Sequence, residues 1–451
     1  MTARFTDAWV RDALALPGSA EVGFTAIVTD TREMVPGALF VALRGEQFDA
    51  HVFLAAARDA GASGAVVVHG TPNVPGLVLY QVPDTLRALG DLAAAARKRI
   101  TGPVIGITGQ NGKTSTKEMV AAVLATRWRT HRTRANLNNL VGVPRTILEA
   151  PEETEALVVE AGANCVGEVA RYREIIAPDI AVVTNAGAGH LEGFGSVAGV
   201  IREKLALTRE VPLAIVGITP GELSAGARER GAVRVLTAGL AGADVQPTRV
   251  AATADGRPII TIDGRTLTLA ARGRHQAGNA MFAWAVAREL NLDLDAAARA
   301  LESFAVPGGR GELTQHGALT ILNDSYNANP QSFGSAISLA GDLRAGRRLV
   351  FVAGTMRELG TESAALHAEV ARELAALEPE LLALVGEFVP AFAPWRGRYA
   401  GRLIEAPDAE AMAPQLAAHL RGDELVVLKG SRGVTLERIL PAILHRAAPA
   451  T

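Results

Sequence analysis

One stretch constrains this chain more than any other: Pro103-Val-Ile-Gly-Ile-Thr-Gly-Gln-Asn-Gly-Lys-Thr-Ser-Thr116. It opens as an apolar strand, Val104 to Ile107, and breaks into a glycine loop, Gly109 to Gly112. It continues as a helix on which Met119, Val120, Val123 and Leu124 recur at helical spacing. Glycines allow the backbone to approach an anion closely. The N–H groups opening the next helix then point at phosphate oxygens, and the helix dipole favours negative charge there. In such a loop Lys113 reaches the terminal phosphates and the Thr114 hydroxyl faces Mg²⁺. A strict Walker A would carry glycine where Ile107 stands, but Gly109-x-x-Gly112-Lys113-Thr114 is intact between strand and helix. A nucleotide phosphate loop is the expectation, with a purely structural glycine turn as its alternative.

Lysine usage sharpens that reading. The chain has five lysines, Lys98, Lys113, Lys117, Lys204 and Lys429, against forty arginines. Where a surface cation suffices this chain uses arginine. A surviving lysine therefore points to chemistry that arginine does poorly, such as compact phosphate contact or a reactive amine. Lys98 and Lys117 are read as incidental, and Lys204, in Val200-Ile-Arg-Glu-Lys-Leu-Ala-Leu-Thr208, as a solvated helix lysine.

The rest of the chain frames the loop. At 451 residues it has room for two to four domains. A formal net charge of −2 leaves no basic footprint for nucleic acid. A lone cysteine, Cys165, excludes an internal disulfide and suits a reducing cytoplasm. Asp7, Arg11 and Asp12 stand where a secretory leader would need an apolar core, and no apolar run reaches spanning length. A cytoplasmic chain without membrane insertion is expected.

Strand and helix patterns alternate throughout, giving an α/β fold in three domains. Residues 1–99 form a small α/β domain. It has a polar loop at Asp30-Thr31-Arg32 and a helix from Asp84 to Ile100 whose Arg97-Lys98-Arg99 end complements the helix dipole. Residues 100–310 form a central parallel-sheet domain of P-loop ATPase type. There Ala156-Leu-Val-Val-Glu160 and Ile180-Ala-Val-Val-Thr-Asn185 are strands, the second leading to His190. Ligands of open parallel sheets sit at strand carboxyl ends, which places Glu160 and His190 as candidates beside the loop. Asn136, Asn138 and Asn139 are read equally as a turn or as ligand contacts. Thr248 to Leu269 reads as a β-hairpin turning at Asp263-Gly264, and Asn279 as an N-cap. The loop Pro307-Gly-Gly-Arg310-Gly is a candidate hinge. Residues 311–451 read as a doubly wound, Rossmann-like domain with strands at Leu319–Leu322, Leu349–Val352, Leu381–Val385, Arg402–Ile404 and Leu425–Leu428.

Together these residues resemble the Mur ligases, which build the peptide stem of bacterial peptidoglycan. The resemblance rests on Asp30-Thr-Arg32, Gly45, Asp49-Ala-His51, Thr108-Gly-Gln-Asn-Gly-Lys-Thr114, Asn136-Leu-Asn-Asn139, Glu160-Ala-Gly-Ala-Asn164 and His190-Leu-Glu-Gly-Phe-Gly195. It continues through His275, Asn279, Asp324-Ser-Tyr-Asn-Ala-Asn-Pro330, Met356-Arg-Glu-Leu-Gly360 and Lys429-Gly-Ser-Arg432. The Asp324–Pro330 and Met356–Gly360 stretches point to the branch that joins D-alanyl-D-alanine to UDP-N-acetylmuramoyl-tripeptide.

The resemblance implies ATP and Mg²⁺ as cofactors and an acyl-phosphate route. It implies that Gly109, Gln110, Asn111, Gly112, Lys113, Thr114 and Ser115 cradle phosphates, with His275, Asn279, Arg310, Asp324 and Tyr326 completing the ATP site. Thr114, Glu160, His190 and a carbamylated Lys204 would hold metal, and Lys113 and Arg310 would neutralise charge. Asp30, Thr31 and Arg32 would take the uridine nucleotide, with Asn136, Asn138, Asn139, Asn327 and Asn329 also on substrate. A monomer is expected.

Overall fold

The computed structural model describes residues 3–45, 48–304 and 308–447. Pro307, the first residue of the hinge candidate, lies outside them. Contacts divide the chain into two compact units. The first is Met1–Ile107 with Trp128–Ala163 and Gly167–Ala181; the second is Thr108–Arg127 with Asn164–Val166 and Val182–Thr451.

In the first unit, four parallel strands run in sequence order: Ile27–Val28, Leu39–Val41, Gly64–Val68 and Val78–Val82. Phe40, Ala65 and Val67 bury one face against Ala50, Leu54 and Ala57. Asp84 starts the Thr85–Arg97 helix by accepting from the N–H groups of Leu86 (2.8 Å) and Arg87 (3.1 Å). The basic end of this helix does more than complement a dipole. Arg97 donates to the carbonyls of Ile176 (2.9 Å) and Ala177 (3.0 Å) and pairs with Asp179, tying down the end of the Glu168–Ile176 helix. In the same unit residues 104–107 run parallel to Ala156–Glu160, with Ile107 opposite Glu160, and Thr130–Arg132 pairs parallel on the other side of that strand. All five residues of Ala156–Glu160 are buried, as expected of a central parallel strand covered on both faces.

In the second unit, the helices Lys113–Leu124 and Arg274–Glu289 pack together. The expected hairpin is a three-stranded antiparallel meander, Arg249–Ala252, Pro258–Ile262 and Arg265–Thr268. Asp263-Gly264 makes its second turn with φ of 48° and 73°, and the Asp263 carboxylate accepts from the Trp284 indole at 2.9 Å. The missed strand is weakly apolar and partly exposed, so its periodicity is faint.

A six-stranded sheet follows in the order Glu312–His316, Leu319–Asp324, Leu425–Lys429, Leu349–Gly354, Leu381–Val385, Leu403–Ala406. All neighbours are parallel except the first pair. Phe333, Phe351 and Phe388 fill the core on one face and Met412, Leu416 and Ile439 on the other, so it is doubly wound as expected. The edge strand Glu312–His316 was not legible because its residues are polar and mostly exposed.

Candidate active site

The phosphate loop owes its shape to two glycines. Gly109 has φ +144°, and a Cβ there would collide with the Thr184 hydroxyl; Gly112 has φ +78°, and a Cβ would collide with the Asn279 carboxamide. The loop is pinned at Asn111. Its N–H donates to Asn185 Oδ1 (2.9 Å), and its carbonyl accepts from Thr184 Oγ1 (2.6 Å) and Asn185 Nδ2 (3.1 Å). The helix then starts at Lys113 with Gly112 as N-cap, so that residue offers no side-chain oxygen to the first-turn N–H groups. Lys113 Nζ folds back onto the carbonyls of Gly109 (2.8 Å) and Gln110 (3.1 Å), a compact cation over the loop. Thr114 and Ser115 are buried in the first turn, and Gln110 abuts Gly189.

Other expected ligands gather in the same unit. Asn279 is no N-cap: the Arg274–Glu289 helix starts after Gly273, and Asn279 lies inside it, buried and bonded to Gln276 at 3.0 Å. Its position against Gly112 is a tertiary contact that local sequence could not show. His275 is reached by solvent although protein crowds it; burial lowers its pKa, with the Asp324 charge opposing. Lys429 Nζ bonds Asp324 Oδ2 (2.6 Å) and the Asn327 carbonyl (2.9 Å). The Arg310 guanidinium lies 3.9 Å from the Tyr326 ring centre. Asn329 caps the Pro330–Arg344 helix and bonds Asn111.

His190 adopts a left-handed conformation (φ 54°) before the short Leu191–Phe194 helix. Its Nδ1 pairs with Glu358, whose carboxyl is held below the usual range by that bond. Lys204 overturns its reading as a solvated lysine. It is 1% exposed, with Nζ 5.1 Å from the Phe194 ring centre, because its helix turns that face inward. Lys117, read as incidental, is 0% exposed and pairs with Glu118 at 2.9 Å.

The remaining candidates lie in the first unit. Asp30 caps the Thr31–Glu33 turn and accepts from Arg32, whose guanidinium lowers the Asp30 pKa to about 2. Thr31 is half-buried and Arg32 exposed, a cation presented to solvent. The asparagine run splits by role. Asn139 accepts from Gly142 N–H (2.8 Å), the turn alternative; Asn138 donates to Glu160 Oε1 (2.9 Å); Asn136 is exposed. Glu160 is 1% exposed at its strand end.

Within each unit the candidate donors, the Thr114 hydroxyl in the second and the Glu160 carboxylate in the first, are hard oxygens of the kind Mg²⁺ takes. Among the described residues no group of three or more His, Cys, Asp or Glu side chains forms a ready-made metal cage. Sequence reasoning passed over Glu358, Gln331, Thr184 and Asn185 as partners of site residues; each acts through a fold contact. Lys429 had a signal in the lysine bias.

A mostly parallel α/β scaffold carrying a phosphate loop, with lysine and arginine set against acidic and aromatic partners, defines a nucleotide-dependent enzyme class. Residues 107–287 match the Mur ligase middle domain and residues 309–432 the Mur ligase, glutamate ligase domain. The chain is 34% identical over 440 residues to UDP-N-acetylmuramoyl-tripeptide–D-alanyl-D-alanine ligase of Escherichia coli (strain K12), covering 94% of each. It superposes on the crystal structure of MurF from Acinetobacter baumannii with TM-score 0.89, 30% identity, and 98% and 99% coverage. MurF ligase from Thermotoga maritima, solved in complex with ADP, gives TM-score 0.83 at 26% identity, with 94% and 97% coverage. The chain belongs to the Mur ligase family.

Proposed function

We propose that this enzyme joins D-alanyl-D-alanine to UDP-N-acetylmuramoyl-tripeptide at the expense of ATP, giving UDP-N-acetylmuramoyl-pentapeptide for peptidoglycan. The full-length similarity to a ligase named for these substrates supports the reading. The observation that carries its chemistry is the phosphate loop, with Lys113 folded over the Gly109 and Gln110 carbonyls at the start of a helix.

The terminal carboxylate of the tripeptide attacks the γ-phosphorus of ATP. The bond to the β-phosphate oxygen breaks, leaving an acyl phosphate and ADP. The dipeptide amine then attacks the acyl carbon, inorganic phosphate leaves, and the amine proton passes to solvent or a base. Phosphoryl transfer needs alignment and charge neutralisation above all. Lys113 and Arg310 supply positive charge, and the loop amides from Gly109 to Ser115 orient the phosphates. His275, Asn279, Asp324 and Tyr326 hold the rest of the nucleotide. Asp30, Thr31 and Arg32 take the uridine nucleotide, and Asn136, Asn138, Asn139 and Asn327 are assigned to substrate. Mg²⁺, when bound, shields the phosphate charge; Thr114, Glu160 and His190 are its proposed ligands.

Burial of Lys204 is the observation behind its proposed carbamylation, which would turn a buried cation into an anion able to meet a metal ion. Loss of activity in Lys204→Ala, with partial rescue by added short carboxylates, is the expected result; no rescue counts against it. The three-domain boundaries 1–99, 100–310 and 311–451 belong to the same proposal, as do a monomeric state and a cytoplasmic location. Among the described residues no helix is long and apolar enough to cross a membrane.

The test is phosphate release from ATP with Mg²⁺, adding UDP-N-acetylmuramoyl-tripeptide and D-alanyl-D-alanine singly and together. Release that needs both, with a pentapeptide product by mass, is expected. Release with the tripeptide and another amine, but not the dipeptide, would move the acceptor.

A further inference from the structure

We infer that Asn329 is a positioning residue for nucleotide binding, acting through Asn111 in the phosphate loop. The inference rests on the proposed reading of that loop as the nucleotide site, and it assigns Asn329 away from direct substrate contact. Asn111 stands between Gln110 and Gly112, with Gly109 and Gly112 both at positive φ. Such a loop has unusual backbone freedom, so its bound shape must be imposed from outside. Main-chain bonds to Thr184 and Asn185 hold one side. The Asn111 side chain adds a second anchor. Its Nδ2 donates to Asn329 Oδ1 (3.1 Å) and Gln331 Oε1 (2.8 Å), and its Oδ1 accepts from Asn329 Nδ2 (2.7 Å).

The two carboxamides form a reciprocal pair, which requires a donor and an acceptor on each partner. Asn329 cannot turn around, because its Oδ1 also accepts from Ser332 N–H at 3.0 Å, within the capping box of the Pro330–Arg344 helix. Its Nδ2 is thereby aimed at Asn111. The side chain is buried and engaged on both atoms, so it serves the nucleotide through Asn111.

The two roles of Asn329 separate experimentally. Asn329→Asp keeps the oxygen that caps the helix but sets a second oxygen against Asn111 Oδ1. Asn329→Ala removes cap and pair together. ADP affinity of the full chain, by titration calorimetry with Mg²⁺, is expected to fall roughly tenfold in Asn329→Asp, in line with one or two lost hydrogen bonds. Its melting temperature should stay near that of the parent while Asn329→Ala melts lower. The double variant Asn111→Ala/Asn329→Asp should bind ADP no more weakly than Asn111→Ala alone, since the effect runs through Asn111.

Parent-like ADP affinity in Asn329→Asp overturns the inference. So does a double variant whose losses multiply, or a melting temperature in Asn329→Asp as low as in Asn329→Ala, which would make the residue a helix cap only. A parent chain that binds no ADP would remove the nucleotide reading itself and this inference with it.

Discussion

At the scale of the residue, lysine usage turned out to carry structural information. Of five lysines, Lys117, Lys204 and Lys429 are 0%, 1% and 2% exposed, and Lys113 folds onto the phosphate loop; only Lys98 is exposed. A chain that otherwise uses arginine keeps lysine where a compact ammonium must fit among packed atoms. Two expectations follow from these contacts. Lys113→Met should lower the rate of phosphate release about a hundredfold or more, as loss of a group that neutralises transferring phosphate does, while circular dichroism stays unchanged. Lys429→Met should strip Asp324 and the Asn327 carbonyl of their cation. That costs about 2 kcal/mol, read as a lower denaturant midpoint. The motif residues were legible as candidates because glycine, lysine and asparagine spacing is local. Which protein groups they bond was not: Asn139 bonds Gly142 N–H in a turn, Asn138 bonds Glu160, and Asn329 bonds Asn111.

At the scale of the element, long apolar or amphipathic segments declared themselves and weakly apolar ones did not. The buried strands Ala156–Glu160 and Leu381–Val385 lie where the apolar pattern places them. The edge strand Glu312–His316 and the strand Arg249–Ala252 were missed, because they bury little surface and their pairing is decided by a neighbour. Helix starts were legible where a cap is local, as at Asp84, and misread at Asn279, where a buried asparagine serves a tertiary contact. Asp84→Ala should cost the Thr85–Arg97 helix about 1 kcal/mol. Amide hydrogen exchange in that helix should accelerate several-fold while the six-stranded sheet is unaffected.

At the scale of the whole molecule, stability should depend on pH in two windows. Burial lowers the pKa of His131 and His367 below the ordinary 6.5. As pH falls below that value the unfolded chain takes up protons that the folded chain refuses, so stability is full above it and declines beneath it. His367 is fixed as the neutral ring, accepting from Met356 N–H at 2.9 Å through Nε2 while Nδ1 meets the Ser363 carbonyl at 2.8 Å. Melting temperature should drop between pH 7.5 and 5.5, and His367→Gln should flatten that slope; an unchanged slope would remove His367 from the account. A second loss is expected below about pH 4, where carboxylates with lowered pKa such as Asp7, Asp30 and Asp255 become protonated. By itself the sequence determined the α/β class, the phosphate loop and the family, because strand–glycine–helix order and hydrophobic period are properties of neighbours along the chain. Tertiary structure alone decided that Lys204 is buried, that Asn279 meets Gly112, and that Asn329 grips Asn111. Each of these depends on which face of a helix or loop is turned inward, and that choice is made by packing between residues far apart in sequence.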